Sequence, residues 1–252
     1  MLATKNAHER DKYIQFDEGP HIYTVKGEQG YTSVTTWNHE HFSQFDSAKI
    51  IGNILRSSKM KDTKYKYYGM TAEDILKSWD ENRDAAASAG TKTHYNIECF
   101  YNNITVEDES IEFKYFKEFV RDYPHLEAYR TEWCVFYEEI KVSGSIDMVF
   151  RDKNTGEYLI YDWKRSKGIE YESYGGKNAT TSCISHIPDT NFWHYSLQLN
   201  VYRKILQEKY DMKIVGLALV VLHPDNHNKT YQVIDVPMLD KEMEDLWKTR
   251  TR

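Results

Sequence analysis

The sequence predicts an α/β fold in which a mixed central sheet is flanked by helices. Three observations predict it. Residues 144–164 read as a β-hairpin, residues 214–222 are apolar enough to require a central strand, and apolar stripes at helical spacing stand before, between and after them. At 252 residues the chain has ample length to bury a core. It reads as one domain over 1–252, with a hairpin and a basic region in 1–70 and the main core in 71–252.

In chain order, residues 12–25 form two short strands around Asp17-Glu18-Gly19-Pro20, a turn by composition. The segment YTSVTTW follows, rich in Thr and Val. A helix is expected from about Asp46 through Leu55, where Ile50, Ile51, Ile54 and Leu55 recur at helical spacing. Between Lys49 and Lys66 stand Arg56, Lys59, Lys61 and Lys64 against a single acid, Asp62, with Tyr65, Tyr67 and Tyr68 interleaved. By itself such a run is a solvated loop; beside a site that cuts phosphodiesters it would grip a nucleic-acid backbone through Arg56, Lys59, Lys61, Lys64 and Lys66, with Tyr65 available to bases.

Thr71 and Asp74 open a further helix in the manner of a capping box, with Ile75, Leu76 and Trp79 on its apolar face. The helix continues through AAASAGTKTHYNIECFYNN, where small residues over 85–90 would allow close packing on a neighbour. It places His94 and Glu98 one turn apart on one face. Residues 110–123 form the next helix, ended by Pro124 and preceded by the acidic turn Glu107-Asp108-Glu109. Residues 127–141 are the strand leading into the hairpin. Residues 165–188, rich in Gly, Ser, Asn and Thr, form a long loop expected to be mobile until substrate arrives. A strong helix over 191–210 carries Gln198 and Tyr202 on a common face, strands follow at 214–222 and 231–236, and an amphipathic helix over 238–249 closes the chain.

The chemistry concentrates on the hairpin. Strand side chains alternate faces, so Asp162 and Lys164 share one. Asp147 sits between Ile146 and Met148 in the other arm, an expensive place for a carboxylate that has no partner. Two readings stand: an ordinary ion pair on a half-buried strand, or a pocket of acids and an ammonium built to hold a hard divalent cation and orient a nucleophile.

Composition narrows the classes. No apolar run is long enough to span a bilayer and the N-terminus lacks the apolar core of a signal peptide, so a soluble intracellular protein without a membrane partner is expected. Cys99, Cys134 and Cys183 lie far apart, with neither zinc nor disulfide spacing. A net charge of −6 argues against a uniformly basic coat while leaving room for a local basic groove, and 20 tyrosines permit stacking on bases.

Taken together, Gly90, His94 and Glu98 as G-x-x-x-H-x-x-x-E, Gly144 and Asp147 as G-x-x-D, Asp162 and Lys164 as D-x-K, and Gln198 and Tyr202 as Q-x-x-x-Y resemble the motifs of the PD-(D/E)XK nuclease superfamily in its RecB-like exonuclease branch. Residues 21–36 look like the lead-in of phage, large-virus and mitochondrial genome maintenance exonucleases, so the resemblance runs over about 20–235. It implies a restriction-endonuclease-like core and Mg²⁺ or Mn²⁺ held by His94, Asp147, Asp162 and the Trp163 carbonyl. It also implies a water positioned by Lys164, a supporting role for Glu98, and Gln198 and Tyr202 orienting the lysine or meeting phosphate. With a histidine ligand, Mn²⁺ is at least as suitable as Mg²⁺. The three scattered cysteines provide no set for the iron–sulfur cluster of some relatives, and no P-loop is present.

The function expected from the resemblance is a metal-dependent deoxyribonuclease, an exonuclease on single-stranded or frayed DNA ends, with recombination or replication proteins as partners and a phage or virus as one source. The competing readings are a DNA or RNA endonuclease of the same superfamily and a non-catalytic nucleic-acid-binding protein with a vestigial site.

Overall fold

A computed structural model of the chain describes residues 1–250. They form two compact units, Gln44–Lys92 and the remainder, in which Met1–Ser43 joins the chain from Thr93 onward. The division falls at 43/44 and 92/93. Among the described residues no helix is long and apolar enough to cross a membrane.

The larger unit opens with the short helix α1 (Leu2–Lys5) and the antiparallel hairpin β1 (Ile14–Asp17) and β2 (Ile22–Val25), in register from Ile14 opposite Val25 to Asp17 opposite Ile22. The Thr- and Val-rich segment contributes only a two-residue strand, β3 (Thr32–Ser33). It then turns into helix α2 (Val34–His39), because Ser33 caps it by accepting the Thr36 N–H at 3.0 Å.

In the smaller unit α3 (Ser47–Arg56) is capped by Asp46, which accepts the Lys49 N–H at 2.9 Å. Helix α4 (Ala72–Tyr101) begins here and ends in the larger unit. Its start is the expected capping box: Asp74 accepts the Thr71 N–H at 2.9 Å while the Thr71 hydroxyl accepts the Asp74 N–H at 3.2 Å. The close packing expected of the small residues over 85–90 is not found. Residues 85–88 are exposed, and a Cβ added at Gly90 would meet nothing within 4 Å.

The rest of the larger unit is α5 (Ile111–Asp122), β4 (Leu126–Tyr137), β5 (Val142–Asp152), β6 (Tyr158–Lys164), α6 (Asn191–Lys209), β7 (Ile214–Val221), β8 (Gln232–Asp235) and α7 (Asp240–Arg250). The strand expected over 127–141 stops at Tyr137, where Lys141 donates its N–H to the Glu138 carbonyl and closes a turn. The sheet runs β3-β5-β6-β7-β8, with β4 on the other edge of β5. It is mixed: β3–β5 and β6–β7 are parallel, and the other pairs are antiparallel.

Helices α6 and α7 cover one face, where Leu197, Val201, Ile205 and Leu246 pack on Ile146, Ile160 and Leu219. Helix α5 and the end of α4 cover the other, where Phe113, Phe116, Phe119 and Ile97 pack on Met148, Phe150 and Trp163. The alternation along β6 and β7 divides their side chains between these two cores, which explains why β7 is apolar throughout.

The loop over 165–188 is not uniformly loose. Ile184 and Ile187 are buried, Ala179 donates its N–H to the Ile187 carbonyl at 2.8 Å and Thr180 donates to the His41 carbonyl at 2.7 Å. Its first half is the open part, with Tyr174 almost wholly exposed.

Candidate metal centre

Strand β5 is paired with β4 along its whole length on one edge. Its other edge is shared: β6 pairs with it over residues 148–151 and β3 over residues 142–143. Residues 144–147 lie between these two ladders, where β5 and β6 separate. Asp147 stands at this opening, and its Oδ2 accepts the Trp163 backbone N–H at 3.0 Å. A side chain thus does what a ladder carbonyl would do one residue further along, which satisfies a donor that the separation would otherwise strand.

The carbonyl of the same residue, Trp163, lies 2.9 Å from His94 Nε2 on α4. The other ring nitrogen, Nδ1, faces two carboxylates, Asp147 Oδ2 at 3.5 Å and Glu132 Oε1 at 3.7 Å. Glu132 in β4 falls opposite Asp147, since its neighbours Thr131 and Trp133 pair with Met148 and Ile146. It adopts a left-handed φ of 43°, unusual for a non-glycine residue in a strand. Its Oε2 accepts the Ser145 hydroxyl at 3.1 Å. Asp162 and Lys164 share a face as expected and form an ion pair at 2.6 Å. Apart from that pair, the buried Asp162 Oδ2 makes no hydrogen bond among the described residues.

The crowding of like charges governs the protonation. Burial opposes charge on the His94 imidazole, but Asp147, Glu132 and Asp162 outweigh it and lift its pKa to about 9. Burial, reinforced by Asp147 and opposed by Lys164 and His94, raises Asp162 to about 6. Asp147 is raised by burial and by Glu132 against the pull of His94 and Lys164. Lys164 is itself raised: burial works against its ammonium, yet Asp162 and Asp147 more than compensate. The metal-free site is therefore an acidic cup in which an imidazolium and an ammonium supply the balancing charge.

A divalent cation fits this arrangement. One nitrogen and one oxygen atom from each of two carboxylates, all within 4.8 Å of one another, come from His94, Glu132 and Asp147. With bonds of about 2.1 Å, two ligands of a single ion lie at most about 4.2 Å apart, and the 3.5 and 3.7 Å separations fall inside that limit. A mixed nitrogen and oxygen set suits Mn²⁺ at least as well as Mg²⁺. The Trp163 carbonyl borders the same group through His94.

Of the residues singled out in the sequence, His94, Asp147, Asp162, Trp163 and Lys164 converge here. Asp162 is turned to Lys164 and is not among the three residues whose ligand atoms cluster. Glu98 is half-exposed on α4, and burial, Glu132 and Glu18 together raise its pKa. Tyr202 is buried and fills the space over Gly144: a Cβ there would meet its Cε1 and hydroxyl at 2.8 Å. Burial, with Tyr23, Asp147 and Asp162, holds its hydroxyl well above the usual tyrosine range, while a hydrogen bond with Gln198 works the other way. The α6 side chain stacked on Lys164 is instead Tyr195, whose ring centre is 4.5 Å from Nζ.

Glu132 and Tyr195 were missed in the sequence. An acid just before the apolar run Trp133–Phe136 carried a signal like that of Asp147, weakened by Arg130 and Thr131 beside it, but nothing local to Tyr195 marks it. Arg56, Lys59, Lys61, Lys64, Lys66 and Tyr65 all belong to the smaller unit. The five cations there are exposed, and Arg56 folds back to donate to the Gly52 carbonyl and to Asn53.

In comparisons with known proteins, no family model matches the chain and no curated protein is similar enough to count as a relative.

Proposed function

We propose that the chain is a metal-dependent nuclease that hydrolyses DNA phosphodiesters at single-stranded or frayed ends. The observation that carries the reading is that His94 and Asp147, from segments far apart in sequence, both meet the backbone of Trp163, whose chain neighbours Asp162 and Lys164 form a buried ion pair. Three separated motifs that resemble those of the PD-(D/E)XK type supply these residues in order, a fourth follows at Gln198 and Tyr202, and the mixed sheet with helices on both faces is compatible with that core.

In this reading His94, Glu132 and Asp147 hold the cation, with Asp162 and the Trp163 carbonyl beside them. The bound ion would polarise the scissile phosphate and acidify a ligated water. Lys164 stays an ammonium, because Asp162 and Asp147 hold its proton. It therefore orients the attacking water and neutralises charge that develops on phosphate oxygens, and it does not act as a base. The aromatic face of Tyr195 keeps its chain in place.

The test is cleavage of end-labelled linear and circular single-stranded DNA with Mn²⁺, Mg²⁺ or EDTA, comparing wild type with Lys164→Ala. Degradation of the linear strand alone, dependent on metal and lost in the variant, is expected. Cutting of the circle would make the enzyme an endonuclease; binding without cleavage on any substrate would leave a nucleic-acid-binding protein.

A further inference from the structure

Within the smaller unit, Phe45, Leu76 and Trp79 surround an open cavity of about 360 Å³ whose rim carries Ser47, Asp80 and Arg83. Its volume lies at the small end of ligand pockets. Ile75, beside Leu76 on α4, is fully buried and serves as core, whereas Leu76 is 41 % and Phe45 72 % exposed. These two apolar side chains are thus not absorbed by the packing of the unit.

The cavity continues a row of rings. Phe45 and Trp79 have centroids 5.9 Å apart, Trp79 and Tyr67 6.4 Å, and Tyr67 and Tyr65 5.6 Å. The Trp79 indole N–H donates to the Tyr67 hydroxyl at 2.9 Å, which fixes the indole and leaves its apolar surface toward Phe45. Lys66 lies 5.1 Å from the Tyr67 ring centre, and Lys59, Lys61 and Lys64, in the chain that leads into Tyr65 and Tyr67, are exposed and form no ion pair among the described residues. Arg83 at the rim is already committed to Asp80 at 2.7 Å, so the uncommitted positive charge is that of the lysines.

An uncharged peptide or lipid partner would use the apolar surface but has no need of several unpaired ammonium groups. A nucleic-acid strand with exposed bases uses both, because its bases stack on aromatic rings while its phosphates meet the cations. A duplex keeps its bases inside and can use only the cations.

We propose that the Phe45–Leu76–Trp79 cavity is a subsite for an unpaired base of single-stranded DNA, with Lys59, Lys61 and Lys64 holding phosphates of the same strand. The proposal rests on the nuclease reading for the identity of its ligand and adds to it the feature that selects unpaired over paired strands.

The experiment is binding of the full chain, in EDTA to prevent cleavage, to a short labelled oligothymidylate, to an abasic strand of equal length and to a duplex. Wild type is compared with Phe45→Ala and Phe45→Trp, and cleavage of the oligothymidylate with Mn²⁺ is followed in parallel. The alanine variant is expected to bind oligothymidylate about 5- to 100-fold more weakly. The tryptophan variant should restore binding, and all three proteins should bind the abasic strand equally weakly. Binding of Phe45→Ala within twofold of wild type would overturn the subsite, and so would an equal loss on the abasic strand. If that happens while wild type still cleaves, only the subsite falls. Phe45-dependent binding without any cleavage would keep the subsite and sink the nuclease, and an absence of binding and cleavage in wild type would end both.

Discussion

His94 and Trp163, 69 positions apart, meet where the imidazole Nε2 lies 2.9 Å from the tryptophan carbonyl oxygen. This contact ties α4 to the end of β6 and turns Nδ1 toward Asp147 and Glu132. Asp147, Glu132 and Asp162 keep a proton on His94 up to about pH 9 against the effect of burial, so at neutral pH the ring is an imidazolium.

On the proposed reading, metal binding displaces protons. A ligand imidazole has to be neutral, so near pH 7 uptake of Mn²⁺ is expected to release about one proton from His94. His94 holds its proton more tightly in the free protein than in the complex, so affinity should weaken as pH falls. Titration calorimetry at one pH in buffers of different ionisation enthalpy measures the release directly. No buffer dependence would remove His94 from the ligand set.

Glu132→Gln should lower Mn²⁺ affinity by at least about 10-fold, since even groups that only orient the ligands are worth about 10- to 100-fold. It should also bring the His94 pKa down from about 9, because one of the two carboxylates facing Nδ1 loses its charge. The His94 ring protons, followed by NMR against pH in EDTA, report the second effect. An unchanged pKa would mean that Glu132 is not where the charge balance needs it.

Lys164→Met leaves Asp162 buried without its partner. The loss is expected to cost about 3–5 kcal/mol at pH 8, where the Asp162 carboxylate of the wild type is ionised beside Lys164. Asp162 has a folded-state pKa above its unfolded value, so its ionisation is a burden that appears as pH rises through 6 and vanishes in acid. The difference from wild type should therefore shrink toward pH 5. Urea unfolding of both proteins in EDTA at pH 5 and pH 8 checks the sign, and an equal loss at both would put the effect elsewhere.

Gly144→Ala should destabilise by about 1–3 kcal/mol, the usual cost of overpacking, since the new methyl would meet Tyr202 at 2.8 Å and Val34 at 3.1 Å. Tyr202→Leu opens the space on the larger of these contacts. In a double-mutant cycle by denaturant unfolding, the two changes together should cost less than their sum. Strict additivity would show that Tyr202 is not what Gly144 accommodates.

Much of the architecture was legible in the sequence, because helix stripes, caps and turn residues are local signals. Ser110 and Asp46, where helices were expected to begin, turn out to cap them, and Asp152–Gly156 turns the hairpin with Gly156 at a φ of 77°. The uniformly apolar β7 proved to lie between β6 and β8, covered by helices on both faces. Asp147, Asp162 and Lys164 were also visible, since charges set among apolar strand residues are costly and call for partners.

What the sequence by itself determined, then, is which segments are helices and strands and which charges are forced inward. Tertiary structure alone decided how those charges divide. The β4–β5 register brought Glu132 opposite Asp147, and the separation of β5 from β6 freed Asp147 to accept from Trp163. The seating of α6 put Tyr195 on Lys164 and Tyr202 over Gly144. The physical reason is range. Periodicity and capping act within a turn or two of the chain, whereas the ligand geometry and the raised His94 pKa depend on Coulomb and packing terms between residues dozens of positions apart.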